Sequence, residues 1–428
     1  MPQNSFSLNI IPHTNEYHIS SNSGITGESS HFHVVPKQEL EQIVEAWRRL
    51  YTATNKISDA QRIGETLFSS LFGSDIGVQF DRFLTIISSS QINGCELLLK
   101  YPPDPLLHEL PFELLFYGET FLALSSNIQP VRYLEQPRPV KAAKIDLPIR
   151  ILLTTASPQS RPTLDVSSEE NQIREALNTY GSAIDLVVER NVSFDSLQHR
   201  LGRAAFSDRP FHIWHHSGHG YFDNDVTEDL YGLIFSQSDN EEIISIHRLN
   251  LVSEVLSLHL AVINVCQSGA PLGLSTTLAA LNVPAAIGMR TNISDKAAIG
   301  FSKALYKSIF DMPLSSAMKK VRIFLATDTV DSVNSLDWSL PILHLRSEGS
   351  GSLQILKSVM NKHDPNRSTE ETGKQKVIIK IGTITDSPIV RIIGVKGTSS
   401  REDPTDVTLD IGTIERIDNL DVTGDSSE

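Results

Sequence analysis

Four histidines lie close together in the segment FHIWHHSGHGYFD, residues 211–223. The whole chain has 14 histidines, so four within eight consecutive positions need a chemical or structural reason. A metal site, a buried strand with incidental imidazoles, and a catalytic base at a strand end would each account for them. The four are His212, His215, His216 and His219.

One of the two cysteines, Cys266, is a possible nucleophile. It follows the apolar run LAVINV and precedes the small, turn-forming QSGAPLG, which places its thiol at the tip of a predicted strand. A cysteine reacts as the thiolate, and because a free thiol has a pKa of about 8.5 it needs a base. An imidazole titrates in the right range and can later protonate a leaving amine. His219, 47 positions earlier, is the candidate base.

Glycines on both sides of His219 suggest how an oxyanion would be bound. Backbone N–H groups in a turn that glycine permits are suited to this role. We therefore expect the N–H groups of Gly220 and Cys266 to form the oxyanion hole. The interval between His219 and Cys266 leaves room for one loop, one helix and one strand, which fits two neighbouring parallel strands.

The other histidines are interpreted as strand residues near the site. His212 and His216 share one strand face because side chains alternate along a strand, and His216 is a candidate to support His219 or line the substrate pocket. A zinc site needs three or four ligands, and no HExxH or paired CxxC motif is present. No metal and no cofactor are predicted, and Cys95 is interpreted as a structural thiol.

Composition limits the function further. Hydrophobic residues make up 40% of the 428 residues, and the formal net charge of −14 argues against broad, sequence-independent nucleic-acid binding. Two cysteines do not make a disulfide framework and indicate a reducing compartment. The sequence shows no signal-peptide pattern and no apolar run of membrane-spanning length. We expect a cytoplasmic protein without a membrane span.

Strands and helices alternate from residue 148 onward. Near-continuous apolar strands that alternate with amphipathic helices predict an α/β fold with a mainly parallel sheet, whose sites form at the carboxyl ends of the strands. The predicted strands are 148–158, 184–190, 211–218, 258–266, 284–290 and 339–347. The predicted helices are 169–180, 193–204, 248–257, 274–283, 294–310 and 313–327.

The chain is predicted to have four parts. An N-terminal α+β region (1–144) contains short strands before residue 36 and helices at 37–54, 59–72 and 76–90, and an α/β domain (145–360) follows it. Residues 361–376 contain no apolar residue and are interpreted as a linker. The β-rich tail, 377–428, carries the sequence IGTI twice, thirty residues apart. It is either a small module or a pair of strands that become ordered on a partner.

The two motifs together, HxSGHG and NVCQSG, resemble those of caspase-like cysteine peptidases. They are more closely similar to the CHAT branch, a caspase- and separase-related group found in bacteria. The stretches PPDPLLHELPFELLFYGETFLALS, PIRILLTTASP and AAIGMRTNISDKAA are also similar to CHAT sequences. The resemblance covers roughly residues 35–350. It implies a caspase-like, mainly parallel sheet flanked by helices within 145–360, completed by the N-terminal region.

The resemblance also implies roles for individual residues. The base corresponds to His219, the nucleophile to Cys266 and the oxyanion glycine to Gly220. In caspase relatives the residue two positions before the nucleophile lines the S1 pocket, and it is often Asp where the P1 residue is basic. Here it is Asn264. Arg290 follows the next strand and is expected to face the same pocket, which would favour an acidic or carbonyl-bearing P1 group.

The function implied is a cysteine endopeptidase that cleaves a protein substrate. The resemblance further implies an activating or regulatory protein partner, within a bacterial defence or cell-death system. The alternatives are a catalytically silent scaffold acting through the C-terminal tail, and a thiol hydrolase or acyl transferase that uses the same two residues. The acidic stretch 222–232 is interpreted as a solvated β-hairpin, or else as a loop that reorders before the site is competent.

Overall fold

The computed structural model describes most of the chain in two compact units, Met1–Asp364 and Pro365–Glu428. The linker predicted at 361–376 and nearly all of the helices predicted at 248–257 and 274–283 lie outside the described residues. The described residues are 5–25, 31–52, 57–90, 94–125, 128–134, 145, 147–207, 209–223, 230–237, 240–245, 248–249, 258–266, 283–327, 336–346, 353, 377–381, 387–395, 407–411 and 417–424.

The first unit contains fifteen described strands, which are distributed along its sequence. Their bounds are β1 Ser5–Pro12, β2 Glu16–Ser23, β3 Phe32–Pro36, β4 Cys95–Tyr101, β5 Phe116–Tyr117, β6 Thr120–Phe121, β7 Ile128–Leu134, β8 Ile149–Ala156, β9 Ile184–Glu189, β10 Ile213–Asp223, β11 Leu230–Gln237, β12 Asn240–Ser245, β13 Leu260–Val265, β14 Ala285–Met289 and β15 Pro341–Leu345.

Helices connect and cover these strands. Their bounds are α1 Lys37–Thr52, α2 Ile57–Ser89, α3 Pro105–Glu109, α4 Val166–Leu177, α5 Phe194–Ala205, α6 Asp295–Tyr306 and α7 Leu314–Thr327. The helices predicted at 59–72 and 76–90 form the two halves of α2, which meet at Gly73 with φ 53°. A side chain would be strained at this positive φ, and a Cβ there would lie 2.8 Å from the His33 ring.

Thirteen strands of the described residues form one sheet. Its order is β12-β11-β10-β13-β14-β15-β7-β4-β1-β2-β3, and β8 and β9 follow on from β10. The strands β9, β8, β10, β13 and β14 are mutually parallel neighbours. Because β7 pairs with β15, the N-terminal strands extend the same sheet. The predicted fold class, a mainly parallel sheet flanked by helices, is confirmed.

The centre of the sheet is apolar because it is covered by helices. Every residue of β13 and β14 is buried, as a strand enclosed on both faces requires. Helices α4 and α6 pack together over this part of the sheet. Asp165 caps α4 by accepting from the Ser168 N–H at 3.1 Å, and Ser294 caps α6 by accepting from the Ala297 N–H at 3.3 Å. The two caps fix where each helix begins.

The strand β10 changes its neighbours halfway along. Its residues 213–218 pair in parallel with β8 and β13, whereas 219–223 pair with the antiparallel β11. The predicted strand end at residue 218 is therefore wrong, because β11 continues the pairing after β8 has ended. The β-hairpin interpreted at 222–232 corresponds to the antiparallel pairing of the end of β10 with the start of β11, whereas β12, which is antiparallel to β11, was not predicted.

The second unit contains two sheets of two parallel strands each. Strand β16 (Val377–Ile381) pairs with β18 (Val407–Ile411), and β17 (Ser387–Val395) pairs with β19 (Ile417–Gly424). Each IGTI sequence begins at the last residue of β16 or of β18.

Candidate active site

His219 lies on β10 where the strand exchanges one partner for another. Its Nε2 is 2.8 Å from the carbonyl oxygen of Pro162. A carbonyl oxygen only accepts hydrogen bonds, so Nε2 carries the proton and donates it. In the neutral ring this leaves Nδ1 as the nitrogen that can take up a proton.

The loop that carries Pro162 is held by the neighbouring β12. Arg161 donates from Nε and Nη2 to the two carboxylate oxygens of Glu241, each at 2.8 Å, and Ser160 donates to the same carboxylate at 2.7 Å. Hydrogen bonds from Arg161 and Ser160 hold the pKa of Glu241 down at about 2. The carbonyl that orients His219 is thus next to a bidentate ion pair, the geometry in which arginine fixes a carboxylate best.

Cys266 follows β13 directly and is half-buried. Burial raises the pKa of its thiol above the ordinary value, and the negative charge of Asp295 adds to the rise. A hydrogen bond from the backbone of Ile293 acts in the opposite direction. The pKa is raised overall, so the sulfur carries its proton at neutral pH and needs a base to become nucleophilic.

His219 and Cys266 line one cleft between the sheet and the first turns of α4 and α6. The cleft is lined by Leu164, Asp165, Val166, Glu169, Ser217, Gly218, His219, Asn264, Cys266, Ile293, Asp295, Ala298 and Ile299. Three of these residues are acids and none is a lysine or an arginine. The described wall of the cleft therefore carries formal negative charge.

Gly220 lies against the backbone of Cys266. A Cβ built on Gly220 would be 2.3 Å from the carbonyl oxygen of Cys266, which no real side chain could tolerate. Glycine thus lets β10 pass close to the end of β13. The turn expected around Gly220 is absent, because Gly220 is a strand residue paired in register with Leu233.

The wall of the cleft rests on a buried carboxylate, Glu169 of α4. Its Oε1 accepts from Asn264 Nδ2 at 2.7 Å, from Ser302 Oγ at 2.5 Å and from His215 Nε2 at 3.0 Å. Burial alone would raise the pKa of Glu169, but these hydrogen bonds hold it below its usual range. Glu169 is therefore anionic, although it is only 5% exposed.

A known family covers the part of the chain that contains the described cleft. The model of the CHAT domain family matches residues 61–347, about two thirds of the chain. The chain belongs to the CHAT domain family. No curated protein matches it by sequence.

Solved structures with a similar fold share little sequence with this CHAT protein. Separase from Saccharomyces cerevisiae, in complex with securin, is 12% identical with a TM-score of 0.44, over 80% of this chain and 30% of the separase chain. RgpB from Porphyromonas gingivalis, in a complex of its pro- and mature domains, is 12% identical with a TM-score of 0.39, over 75% of this chain and 78% of that one. Caspase-1 from Spodoptera frugiperda is 12% identical with a TM-score of 0.30, over 49% of this chain and 96% of the caspase chain.

Two of the predicted site residues lie away from the cleft of this CHAT domain. His216 is fully buried on the opposite face of β10, where its Nδ1 is 2.9 Å from Thr154 Oγ1. Burial lowers the pKa of His216 to about 3, so its ring is neutral. Arg290 donates to the carbonyl oxygens of Glu109 and Leu110, both at 2.8 Å, and to Glu113. The structure does not bring either side chain to Cys266.

The remaining predicted residues come together as the strand order requires. Asn264 lines the cleft beside His219 and Cys266, and its Oδ1 is buried without a hydrogen-bond partner.

Cys95 is fully buried on β4, at a distance in the sheet order from β13. No group of three or more His, Cys, Asp or Glu in the described part of the chain is arranged to hold a metal ion. None of the helices described is both long and apolar enough to cross a membrane.

Three residues at the site were not predicted from the sequence: Glu169, Asp295 and Pro162. Glu169 and Asp295 each belong to the first turn of a helix, where an acid is ordinarily explained by the helix dipole. Glu169 becomes buried, and Asp295 comes to line the cleft, only when α4 and α6 pack together. Pro162 acts through its carbonyl oxygen, which any residue type would provide, so no sequence signal exists for it.

Proposed function

We propose that this CHAT protein is a cysteine endopeptidase with Cys266 as the nucleophile and His219 as the general base. The observation that carries the proposal is that the two side chains line one cleft, at neighbouring parallel strands, with the His219 tautomer set by Pro162. A thiol with a base within reach is the minimum requirement for acyl transfer through a cysteine.

The reaction begins when Nδ1 of His219 removes the proton from the Cys266 thiol. The thiolate attacks the carbonyl carbon of the scissile peptide, and the N–H groups of Gly220 and Cys266 bind the oxyanion. The C–N bond then breaks as the His219 proton passes to the leaving amine, which gives a thioester on Cys266. Water, deprotonated by His219, hydrolyses the thioester and restores the thiol.

The acids of the cleft support a substrate with a basic P1 residue. Glu169 is anionic, Asp165 has a pKa lowered by its hydrogen bonds with Ser168, and Asp295 lies close to Cys266. Among the described residues, the donors to Glu169 contact Oε1, which leaves Oε2 to accept from a cation. The unpartnered Oδ1 of Asn264 is a second acceptor. An arginine or lysine side chain matches this set, since it only donates.

This preference differs from the one expected from Arg290. An arginine in the pocket would have favoured an acidic P1 group. Because Arg290 is bound by Glu113 and two backbone carbonyls, the acids alone set the charge of the described cleft wall. We therefore propose cleavage after arginine or lysine.

Gating by a partner protein belongs to the same proposal. The raised pKa of Cys266 supports a resting state in which the thiol is protonated and poorly reactive. A partner that displaces Asp295 from the thiol would lower this pKa. In keeping with the family, we propose that the protein acts in the cytoplasm, within a bacterial defence or cell-death system.

The proposal is tested by covalent labelling. Full-length protein is treated with peptidyl acyloxymethyl ketones that carry Arg, Lys, Asp or Leu at P1, alone and with cell lysate, and the modified residue is located by mass spectrometry. We expect labelling of Cys266 by the Arg and Lys reagents, and loss of labelling in Cys266→Ala and His219→Ala. The matched control is Cys95→Ala, which removes the other thiol.

Each other outcome points to a specific alternative. Labelling only in the presence of lysate supports the gated form of the enzyme. Labelling of Cys266 by small alkylating reagents but by no peptidyl reagent would favour a thiol hydrolase or acyl transferase. Absence of Cys266 labelling under every condition would contradict the proposal and favour a scaffold that acts through the C-terminal tail.

A further inference from the structure

The C-terminal unit is an internal repeat whose two copies pair with each other. Each residue from Val377 to Ile392 that has a described pairing partner pairs with the residue thirty positions later. Val377 pairs with Val407, for example, and Ile381 pairs with Ile411. Thirty residues is also the spacing of the two IGTI sequences. Copy 1 (β16 and β17) therefore stacks in parallel on copy 2 (β18 and β19), in register except for a shift between Ile392 and Val395.

Such a stack has two open edges. Each of the four described strands pairs with a single strand, so each has one side whose backbone groups are not paired within the described residues. Two-stranded sheets are marginal in water, and an unpaired edge is a template for another strand. Copy 1 and copy 2 already pair with each other through their backbones. The unpaired side of either copy can therefore pair in the same way with the other copy from a second chain.

The charges of the two copies specify the order of such a stack. Lys380 pairs in register with Asp410, and Arg391 pairs with Asp421. Opposite charges at directly paired positions stabilise a sheet, and like charges destabilise it. Copy 2 of one chain against copy 1 of the next would repeat both pairings. Copy 1 against copy 1, or copy 2 against copy 2, would place like charges together.

We propose that the C-terminal unit is a self-assembly surface whose partner is a second copy of this chain. Copy 2 of one chain adds in parallel and in register to copy 1 of the next. The contact is head-to-tail and does not close on itself, so it extends into a linear stack with a strand spacing of about 4.7 Å. The surface brings several first units together on one stack. It does not depend on the proposed peptidase activity.

The test uses the full chain with Cys266→Ala, so that any self-cleavage is excluded. Assembly is followed by sedimentation velocity across about a hundredfold range of concentration, by electron microscopy, and by diffraction at the cross-β spacing of about 4.7 Å. We expect concentration-dependent linear assemblies. The double change Asp410→Lys with Asp421→Arg places like charges at both pairings and should reduce assembly by at least about tenfold.

A charge exchange separates pairing from simple loss of folding. Adding Lys380→Asp and Arg391→Asp to the double variant restores opposite charges at both positions and should restore assembly. The matched control is Glu45→Lys with Glu65→Lys, which makes the same change of net charge on exposed helix positions of the first unit. It should leave assembly unchanged.

Three results would overturn the proposal. The first is a Cys266→Ala chain with an unchanged C-terminal unit that stays monomeric over the whole concentration range, even if lysate proteins bind to it. The second is a four-residue charge exchange that fails to restore assembly. The third is an assembly that survives Ile381→Pro combined with Ile411→Pro, which removes a backbone donor from each copy.

Discussion

Two buried glutamates of the first unit have opposite kinds of partner. Glu113 contacts two guanidinium groups, with Arg132 at 2.7 Å and Arg290 at 3.2 Å. Glu169 is held by an imidazole, an amide and a hydroxyl, and it lines the cleft that contains Cys266. Both carboxylates have pKa values below the usual range, although burial alone would raise them.

The difference separates a structural cluster from the proposed binding site. The Glu113 cluster contains its own cations, so the carboxylate is already neutralised within the chain, and Arg132 and Arg290 also donate to the carbonyl oxygen of Leu110. No lysine or arginine lines the described cleft at Glu169. A buried acid without an arginine of its own leaves room for a cation from a substrate.

The largest expected effect concerns the reactive pair itself. Cys266→Ala and His219→Ala should each lower kcat/KM on a peptide with arginine at P1 by at least about 10³-fold, because the nucleophile or its base is lost. Steady-state kinetics and circular dichroism measure activity and folding. Cys95→Ala serves as the control and should keep its activity. A residual rate above a tenth of the wild-type value in either site variant would contradict the assignment.

Glu113→Gln should act on stability and leave the cleft unaffected. It leaves two buried guanidinium groups without their carboxylate, and breaking a buried ion pair in this way costs about 3–5 kcal/mol. Urea denaturation should show this loss in the free energy of unfolding at pH 7. The ratio of rates for arginine and aspartate at P1 should not change in protein that remains folded. A changed ratio would mean that this cluster also contributes to the pocket.

The same cluster predicts a direction for the pH dependence of stability. The arginines hold the pKa of Glu113 at about 2, below its ordinary value of 4.5. Its contribution is therefore complete above about pH 4.5 and is lost as the pH falls toward 2. The stability difference between wild type and Glu113→Gln should shrink over that interval. Denaturation curves at a series of pH values measure it, and a difference that stays constant would contradict the ion pairing.

Glu169→Gln should change selectivity more than stability. The amide keeps an oxygen for the donors but removes the charge, and a hydrogen bond to a charged group contributes about 1.5–3 kcal/mol. We expect the preference for arginine over leucine at P1 to fall by about ten- to a hundredfold. The matched control is Glu170→Gln, the next residue of α4, whose carboxylate contacts Arg174 and Arg190. Equal effects of the two changes would exclude Glu169 as the P1 determinant.

The sequence predicted the strands that lead to His219 and Cys266 because both strands have strong apolar patterns. The α/β alternation predicts their parallel arrangement, and glycine at 220 is explained by its close approach to Cys266. Selectivity could not be predicted, because the burial of Glu169 depends on the packing of α4 against α6. Arg290 illustrates the same limit, since its partners Glu109 and Glu113 are more than 170 residues away in sequence.

The smallest effect tests a residue that acts on the cleft from outside it. Glu241 holds Arg161, whose neighbour Pro162 orients His219, so Glu241 is a positioning residue. Glu241→Gln keeps an acceptor but loses the charge of the ion pair. We expect kcat to fall by about three- to tenfold with KM unchanged, because the imidazole is less well aligned and the pocket is intact.

The control for Glu241 is its neighbour Glu242, whose carboxylate contacts Arg248 at 3.0 Å. Glu242→Gln should leave kcat unchanged, and both variants should keep the wild-type free energy of unfolding, since exposed ion pairs contribute about 0–1 kcal/mol. A rise in KM without a fall in kcat would mean that Glu241 shapes substrate binding. In that case the comparison of Glu113 with Glu169 would have to include Glu241 as a third acid, at the rim of the cleft.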